Sequence, residues 1–328
     1  FGAASHRRRN LDSHSGLMTE PAGAATKQAL LEIKKKIGPK VRICILGGTS
    51  FHGEDSEALV KELAGALARK AGERASFVTG GMDGVQKTFA LNCGDGKQVY
   101  NLLPVGEASN YGVGTDLNAG ANLDERKEIF GQLGHIYLTV EGGKGVSMEA
   151  TAAVKRGASV VPLIRSGGAS SGLMDFPSEA LQQPKWATAE EWELLAKKDA
   201  PVAESAEAAA SMVARLMSDS ATSTMAVTAQ KNAAFYMGAL ASFLRGTTDK
   251  MPVEALTITA VGRAINTAVA VAARAELEQL GEIVSISTAL LGAESAAEDD
   301  EDGGKKGSSR ERGGPQVRIV MKQGLKTC

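Results

Sequence analysis

The chain has 328 residues, enough for two domains, and its 43% hydrophobic and 23% charged content excludes a wholly disordered or fibrous protein. Its 37 Lys and Arg against 38 Asp and Glu give a net charge of −1, which excludes a uniformly basic nucleic-acid coat but leaves room for a local basic patch. No run approaches the ~18 apolar residues of a membrane helix. Cys44, Cys93 and Cys328 are too few and too scattered for a disulfide framework or a zinc site. The expectations are a reducing compartment (cytoplasm, nucleus or both), no membrane, and neither metal nor cofactor.

Residues 1–39, rich in Ala, Gly, Ser and basic side chains including Arg7, Arg8 and Arg9, read as a disordered leader with one short helical pattern near 30–37. An initial Phe1 reads as that of a fragment or a processed product. From Val41 the pattern changes. VRICIL is a short apolar run ending at Gly47 and Gly48, the mark of a strand buried on both faces. A helical stretch (SEALVKELAGALARKAG) follows. Then come strand SFVT, a helix over 84–92, strand QVYNLLP, helix DERKEIFGQL, strand HIYLTV, a helix over 146–156 and strand SVVPLI. Alternating strands and helices imply right-handed crossovers and a parallel sheet, so an α/β doubly wound domain is expected over 40–217. Its last part holds a Gly/Ser/Pro-rich surface loop over 166–185 and two packing helices, with Trp186 and Trp192 as anchors. Residues 218–224 (SDSATST) read as a linker. A second pattern over 225–328 reads βαβαββ, interrupted by a polar insertion at 292–315 that is expected to be disordered. Residues 294–302 carry six acidic and no basic side chains, whereas 305–326 carry seven basic against one acidic, Glu311.

Three Gly-rich turns fall at strand ends in the first domain: LGGTS with Gly47 and Gly48, TGGMDG with Gly80, Gly81 and Gly84, and EGGKG with Gly142, Gly143 and Gly145. In an open α/β sheet this edge is where ligands bind, and glycine lets backbone N–H groups approach a phosphate. Glycine also closes tight turns without any ligand. Three such turns on one edge point to a nucleotide or phosphosugar pocket. His52 and His135 share no metal-ligand spacing with other donors, and no Ser-His-Asp or Cys-His arrangement can be assembled.

The residues of these loops resemble the LOG family, the lysine-decarboxylase-like proteins. Its PGGxGTxxE loop appears over 141–149 as EGGKGVSME, its M-x-x-R-K segment over 123–127 as LDERK, and its GGxxGxM loop over 80–86 as GGMDGVQ. The resemblance spans about residues 40–215. It implies that Arg126 and Glu149 act at the ribose and phosphate of a nucleoside monophosphate whose N-glycosidic bond is cleaved, with Lys127 and Ser147 beside the phosphate. Glycosidic cleavage builds positive charge on the ribose, which a carboxylate stabilises while it helps to activate water. The chain departs from the pattern at Glu141 for Pro, Val146 for Thr and Gln86 for Met.

The second half resembles the Alba family of DNA- and RNA-binding proteins. QKNAAFYMGAL over 230–240 looks like its K-P-x-x-N-Y-V segment, with Asn232 in place of Pro, and LTITAVGRAINTAV over 256–269 looks like its I-x-A-x-G-R-A-I-x-x-A-V signature. The resemblance implies that Lys231 and Arg263 meet the nucleic-acid backbone, that the hairpin of the last two strands reaches along a groove, and that modules dimerise through their helices. A cation at a helix N-terminus, as at Arg263, is unfavourable unless an anion joins it there. Arg310, Arg312, Arg318, Lys322 and Lys326 would give the hairpin a basic strip. Five or six phosphate contacts imply a log–log salt slope of about −4 to −5. The Phe235/Tyr236 pair reads as core and dimer packing rather than as a base-stacking platform.

The expected function is therefore binding of RNA and/or DNA with little sequence specificity, by a homodimer, through an Alba-like module fused to a LOG-like nucleotide- or phosphosugar-binding domain. A nucleoside 5'-monophosphate phosphoribohydrolase whose second module only dimerises it is the alternative, and a purely structural oligomer is the third. Folding of the 294–302 block onto the basic hairpin would make it an autoinhibitory mimic of nucleic acid.

Overall fold

The structure, a computed structural model, describes residues 22–247, 250–290 and 314–323. Six parallel strands form the first sheet: β1 (Val41–Gly47), β2 (Ala75–Thr79), β3 (Val99–Leu103), β4 (Thr115–Asn118), β5 (Ile136–Val140) and β6 (Ser159–Leu163), in the order β4-β3-β2-β1-β5-β6. Helices α2 (Ser56–Ala71), α3 (Val85–Asn92), α6 (Ala189–Ala196) and α7 (Val202–Asp219) cover one face, burying Leu59, Leu63, Phe89, Leu195 and Met212. Helices α1 (Ala22–Ile37), α4 (Leu123–Gly131) and α5 (Lys144–Lys155) cover the other, burying Ile33, Ile129, Phe130 and Ala150. Helices on both faces make the sheet doubly wound, which is why β1 is apolar apart from Arg42 and buried from Val41 to Leu46. The strand order reverses between β1 and β5, so the loops after these two strands flank the switch-point crevice.

Two boundaries differ from the sequence reading. Residues 22–37 are not leader but helix α1, whose Leu30, Ile33 and Ile37 are at most 5% exposed beneath the sheet. The span 218–224 is not a free linker, because α7 runs through Asp219 and the next strand begins at Thr222. Strand β4 went unforeseen because it is four residues long and only Leu117 in it is buried, so it has neither apolar run nor alternation. The 166–185 loop is three 3₁₀ turns tied down by Arg165, which donates to Ala200 O at 2.6 Å, Ser205 Oγ at 2.7 Å and Asp55 at 2.5 Å. Trp186 and Trp192 pack against the α2/α7 side of the core.

A separate four-stranded sheet follows: β7 (Thr222–Val227), β8 (Ala255–Val261), β9 (Gly281–Leu290) and β10 (Pro315–Gln323), in the order β7-β8-β10-β9. Strands β7 and β8 are parallel, and β10 is antiparallel to both of its neighbours. Helices α8 (Ala233–Arg245) and α9 (Ala264–Leu277) cover one face, closing a core of Leu240, Leu244, Ile258, Val271 and Ile319. This is the βαβαββ order that the alternation predicts. Among the described residues no helix is long and apolar enough to cross a membrane.

The two sheets meet along a polar seam. Arg42 is 2% exposed and donates to Leu133 O at 2.8 Å and, across the seam, to Thr247 O at 2.9 Å. His135 Nδ1 accepts the Arg42 backbone N–H at 3.1 Å, and Nε2 lies 2.7 Å from Arg42 Nη2 and 3.1 Å from Thr247 O. Burial, then the Arg42 charge, holds His135 well below the usual histidine range. The folded chain thus keeps His135 neutral while the unfolded chain protonates it near pH ~6.5, so its contribution is present above that pH and is lost as pH falls below it. The stability advantage of wild type over His135→Gln, read from urea midpoints, is expected to shrink between pH 7.5 and 5.5, by at most about 1.4 kcal/mol per pH unit.

Candidate functional site

The three glycine turns lie together at the C-terminal edge of the parallel sheet, and the chain's own side chains already use much of what they offer. After β2, Gly80 N and Met82 N both donate to Gln86 Oε1, at 3.0 and 3.1 Å, and Gly81 N donates to Thr79 Oγ1 at 3.2 Å. Gln86, buried on the first turn of α3, also donates to Ile45 O at 3.3 Å. Tyr111 closes the turn from outside by donating to Met82 O, and burial pushes its hydroxyl pKa up. After β1, His52 N and Gly53 N donate to the Glu141 carboxylate, at 3.0 and 2.8 Å.

Glycine identity at five of these positions follows from internal packing rather than from a ligand. A Cβ would strike Val85 at Gly47, Arg126 at Gly80, Leu103 at Gly81, the Gly48 carbonyl at Gly84 and Val146 at Gly142. Only the turn after β5 is open: a Cβ at Gly143 meets nothing, and one at Gly145 only approaches Lys127 Cε at 3.8 Å. Gly48 is blocked as well, since a Cβ there would lie 2.8 Å from Ser50 O and 3.5 Å from the Glu141 carboxylate. Here α5 begins at Lys144 on a Gly143 N-cap that has no side-chain acceptor, so its first N–H groups point outward.

Arg126 and Glu149, singled out from separate segments, come into direct contact. Arg126 Nη1 donates to Glu149 Oε1 at 2.8 Å and Nη2 donates to Gly80 O at 2.9 Å, while the guanidinium stacks on Phe130 with its carbon 5.3 Å from the ring centre. The pair is 3% and 6% exposed, and Arg126 Nε has no partner. Burial raises the Glu149 carboxyl to about 7, against the pull of Arg126 and Lys127. Its Oε2 accepts no hydrogen bond from the described residues. Ser147, 3% exposed, sits on the same first turns of α5, and Lys127 reaches over them while pairing with Asp124 at 3.1 Å. A carboxyl poised near neutrality beside a fixed guanidinium and an uncapped helix start can exchange a proton and hold a negatively charged group. Among the described residues no group of His, Cys, Asp and Glu is arranged to hold a metal ion.

The predicted basic residues of the second module divide into two sets. Lys231 and Arg263 are exposed at the adjacent ends of β7 and β8, beside a hollow of about 340 Å³ lined by Val227, Thr228, Ala229 and Val261. Arg318 and Lys322 lie on β10 and are exposed on the face opposite the helices. Arg310, Arg312, Lys326 and the acidic 294–302 block lie outside the described residues. The paired reading of Phe235 and Tyr236 divides too: Tyr236 is core and 4% exposed, but Phe235 is 55% exposed with the Lys231 ammonium 5.6 Å from its ring centre. Position in a helix's first turn, before the burial stripe begins, was the available signal.

No family model and no curated protein matches the chain. Solved structures similar to part of it include the structural-genomics target TM1055, at 22% identity over 40% of this chain and 78% of that one with a TM-score of 0.35. A molybdenum-cofactor carrier protein from Chlamydomonas reinhardtii is similar at 20% identity, covering 37% of this chain and 74% of that one, with a TM-score of 0.33. DNA processing protein A from Helicobacter pylori, described for its single-stranded DNA binding mode, is similar at 15% identity over 40% and 66%, with a TM-score of 0.31.

The buried pair makes an energetic statement. Arg126→Met leaves Glu149 buried without its partner and is expected to cost about 3–5 kcal/mol. Adding Glu149→Leu to the same chain should recover most of that loss, because two apolar groups then replace two charges. Denaturant unfolding of the two single variants and the double variant measures this coupling.

Proposed function

We propose that the chain binds RNA or DNA with little sequence specificity through its C-terminal module, beside a LOG-like domain whose pocket takes a nucleotide or phosphosugar. The observation that carries this reading is the placement of Lys231 and Arg263, two exposed cations on adjacent strand ends flanking one hollow. Arg263 occupies the N-cap of α9, where a cation opposes the helix dipole and a phosphate would reconcile the two. The Alba resemblance places its backbone-contacting residues at these same two positions. Phosphate contacts of this kind fix position without reading bases. The exposed apolar residues Leu277, Val284, Ile286 and Leu290 on α9 and β9 support a homodimer. Cytoplasm or nucleus is the compartment this reading fits.

Four phosphate contacts, from Lys231, Arg263, Arg318 and Lys322, imply a log–log salt slope of about −3.6 for duplex DNA. In the full chain, Lys231→Glu with Arg263→Glu should abolish salt-sensitive binding to labelled single-stranded RNA and duplex DNA. Unchanged affinity at fixed salt, with an unchanged fold by circular dichroism, would sink the reading.

One observation favours hydrolysis as a second reading: a buried Glu149 raised to about 7 and held by Arg126 beside the open start of α5. Such a carboxyl can pass a proton to a leaving base and then activate water. Free base should then be released from nucleoside 5'-monophosphates by wild type, and release should fall at least about 100-fold in Glu149→Gln. No release by wild type would leave the domain a binding module.

A further inference from the structure

Glu141 is a charged side chain in an unusual place. It follows β5 directly and is 1% exposed at the β1/β5 switch point. Its carboxylate bridges the crevice. Oε1 accepts from His52 N at 3.0 Å and from Gly53 N at 2.8 Å, and Oε2 accepts from His52 N at 3.1 Å. Two consecutive backbone N–H groups converging on one anion form a nest, the device by which a loop after a strand holds a phosphate. In this chain the anion is supplied from within.

The backbone is built to keep it there. Glu141 adopts φ +53°, a conformation that disfavours a side chain, and tolerates it with its own N–H on Ser166 Oγ at 2.7 Å and its carbonyl accepting from Ser170 N at 3.1 Å and Ser170 Oγ at 2.9 Å. The neighbouring Gly48 lies close enough that a Cβ there would come within 3.5 Å of Oε2. No cation pairs with the carboxylate among the described residues; backbone N–H groups alone satisfy it.

We infer that Glu141 is a specificity residue that permanently occupies the anion nest of the β1–α2 loop, so that the α/β domain excludes a phosphate from its switch-point crevice. A pyrophosphate laid across the crevice would meet the Glu141 charge in the nest that should receive its second phosphate. The inference concerns the first domain alone and does not depend on nucleic-acid binding by the second.

The test uses the full chain and inorganic phosphate as the probe. Glu141→Gly empties the nest and suits φ +53°, whereas Glu141→Gln removes the charge but keeps an acceptor oxygen in the nest. Amide resonances of His52 and Gly53 in a phosphate titration report the nest directly. Wild type and Glu141→Gln should show no shift at these amides into the millimolar range. Glu141→Gly should show saturable shifts, with affinity raised at least about tenfold. If Glu141→Gly does not fold, Glu141→Asn, which tolerates a positive φ and is too short to reach, takes its place. Phosphate shifts at these amides in wild type, or equal gains in Glu141→Gln and Glu141→Gly, would overturn the inference, as would no gain in a folded Glu141→Gly or Glu141→Asn.

Discussion

Removing a charge from water is tolerable only where polar groups close around it, and this constraint organises the first domain. Among the described residues five charged side chains are almost wholly buried: Arg42, Arg126, Glu141, Glu149 and Arg165. Arg42, Glu141 and Arg165 sit at or just beyond strand ends, Arg126 and Glu149 on α4 and α5, and most of their partners are backbone atoms of loops. Arg165 fixes the α6–α7 connection, Arg42 ties β1 to the second module, Glu141 stitches the switch point and Arg126 holds the turn after β2. Only the Arg126–Glu149 pair joins two opposite charges among them. Burial shifts the carboxyl of that pair toward neutrality, which suits it to proton transfer.

The turns of this domain therefore serve two purposes that look alike in a sequence. Gln86 and Glu141 supply acceptors to N–H groups that a ligand would otherwise satisfy, and Val85, Leu103 and Val146 fill the space that glycine leaves. A glycine loop emptied for a ligand and one filled by its own side chains share the same composition. What separates them is the neighbour in space, as with Gln86 lying six residues beyond Gly80 and Glu141 lying 88 residues from Gly53.

Much of the fold was legible because it rests on periodicity. The buried run at 41–46 and the alternation of helix with strand follow from local pattern, as does the βαβαββ order of the second half. Helix α1 showed only as a short helical pattern near 30–37 because its apolar stripe of Leu30, Ile33 and Ile37 is short and set among lysines, and β4 was hidden because polar edge strands carry no alternation. The Arg126–Glu149 contact spans 23 residues and two helices, so spacing alone nominates both residues without joining them. The departures at Glu141 and Gln86 were visible as letters, but their hydrogen bonds were not.

The seam between the two sheets is made of hydrogen bonds, an ion pair of Arg74 with Glu254, and a hollow of about 360 Å³ lined by His135, Ser159, Ser220, Phe243 and Lys250. Met251 is the side chain from the second half that packs against the first domain's core. Arg42 and His135 are buried at this seam, so their contacts with Thr247 O are shielded from water. Turning one sheet against the other about the short Ser220 connection would therefore part Arg42 from Thr247 O and leave a buried guanidinium short of an acceptor.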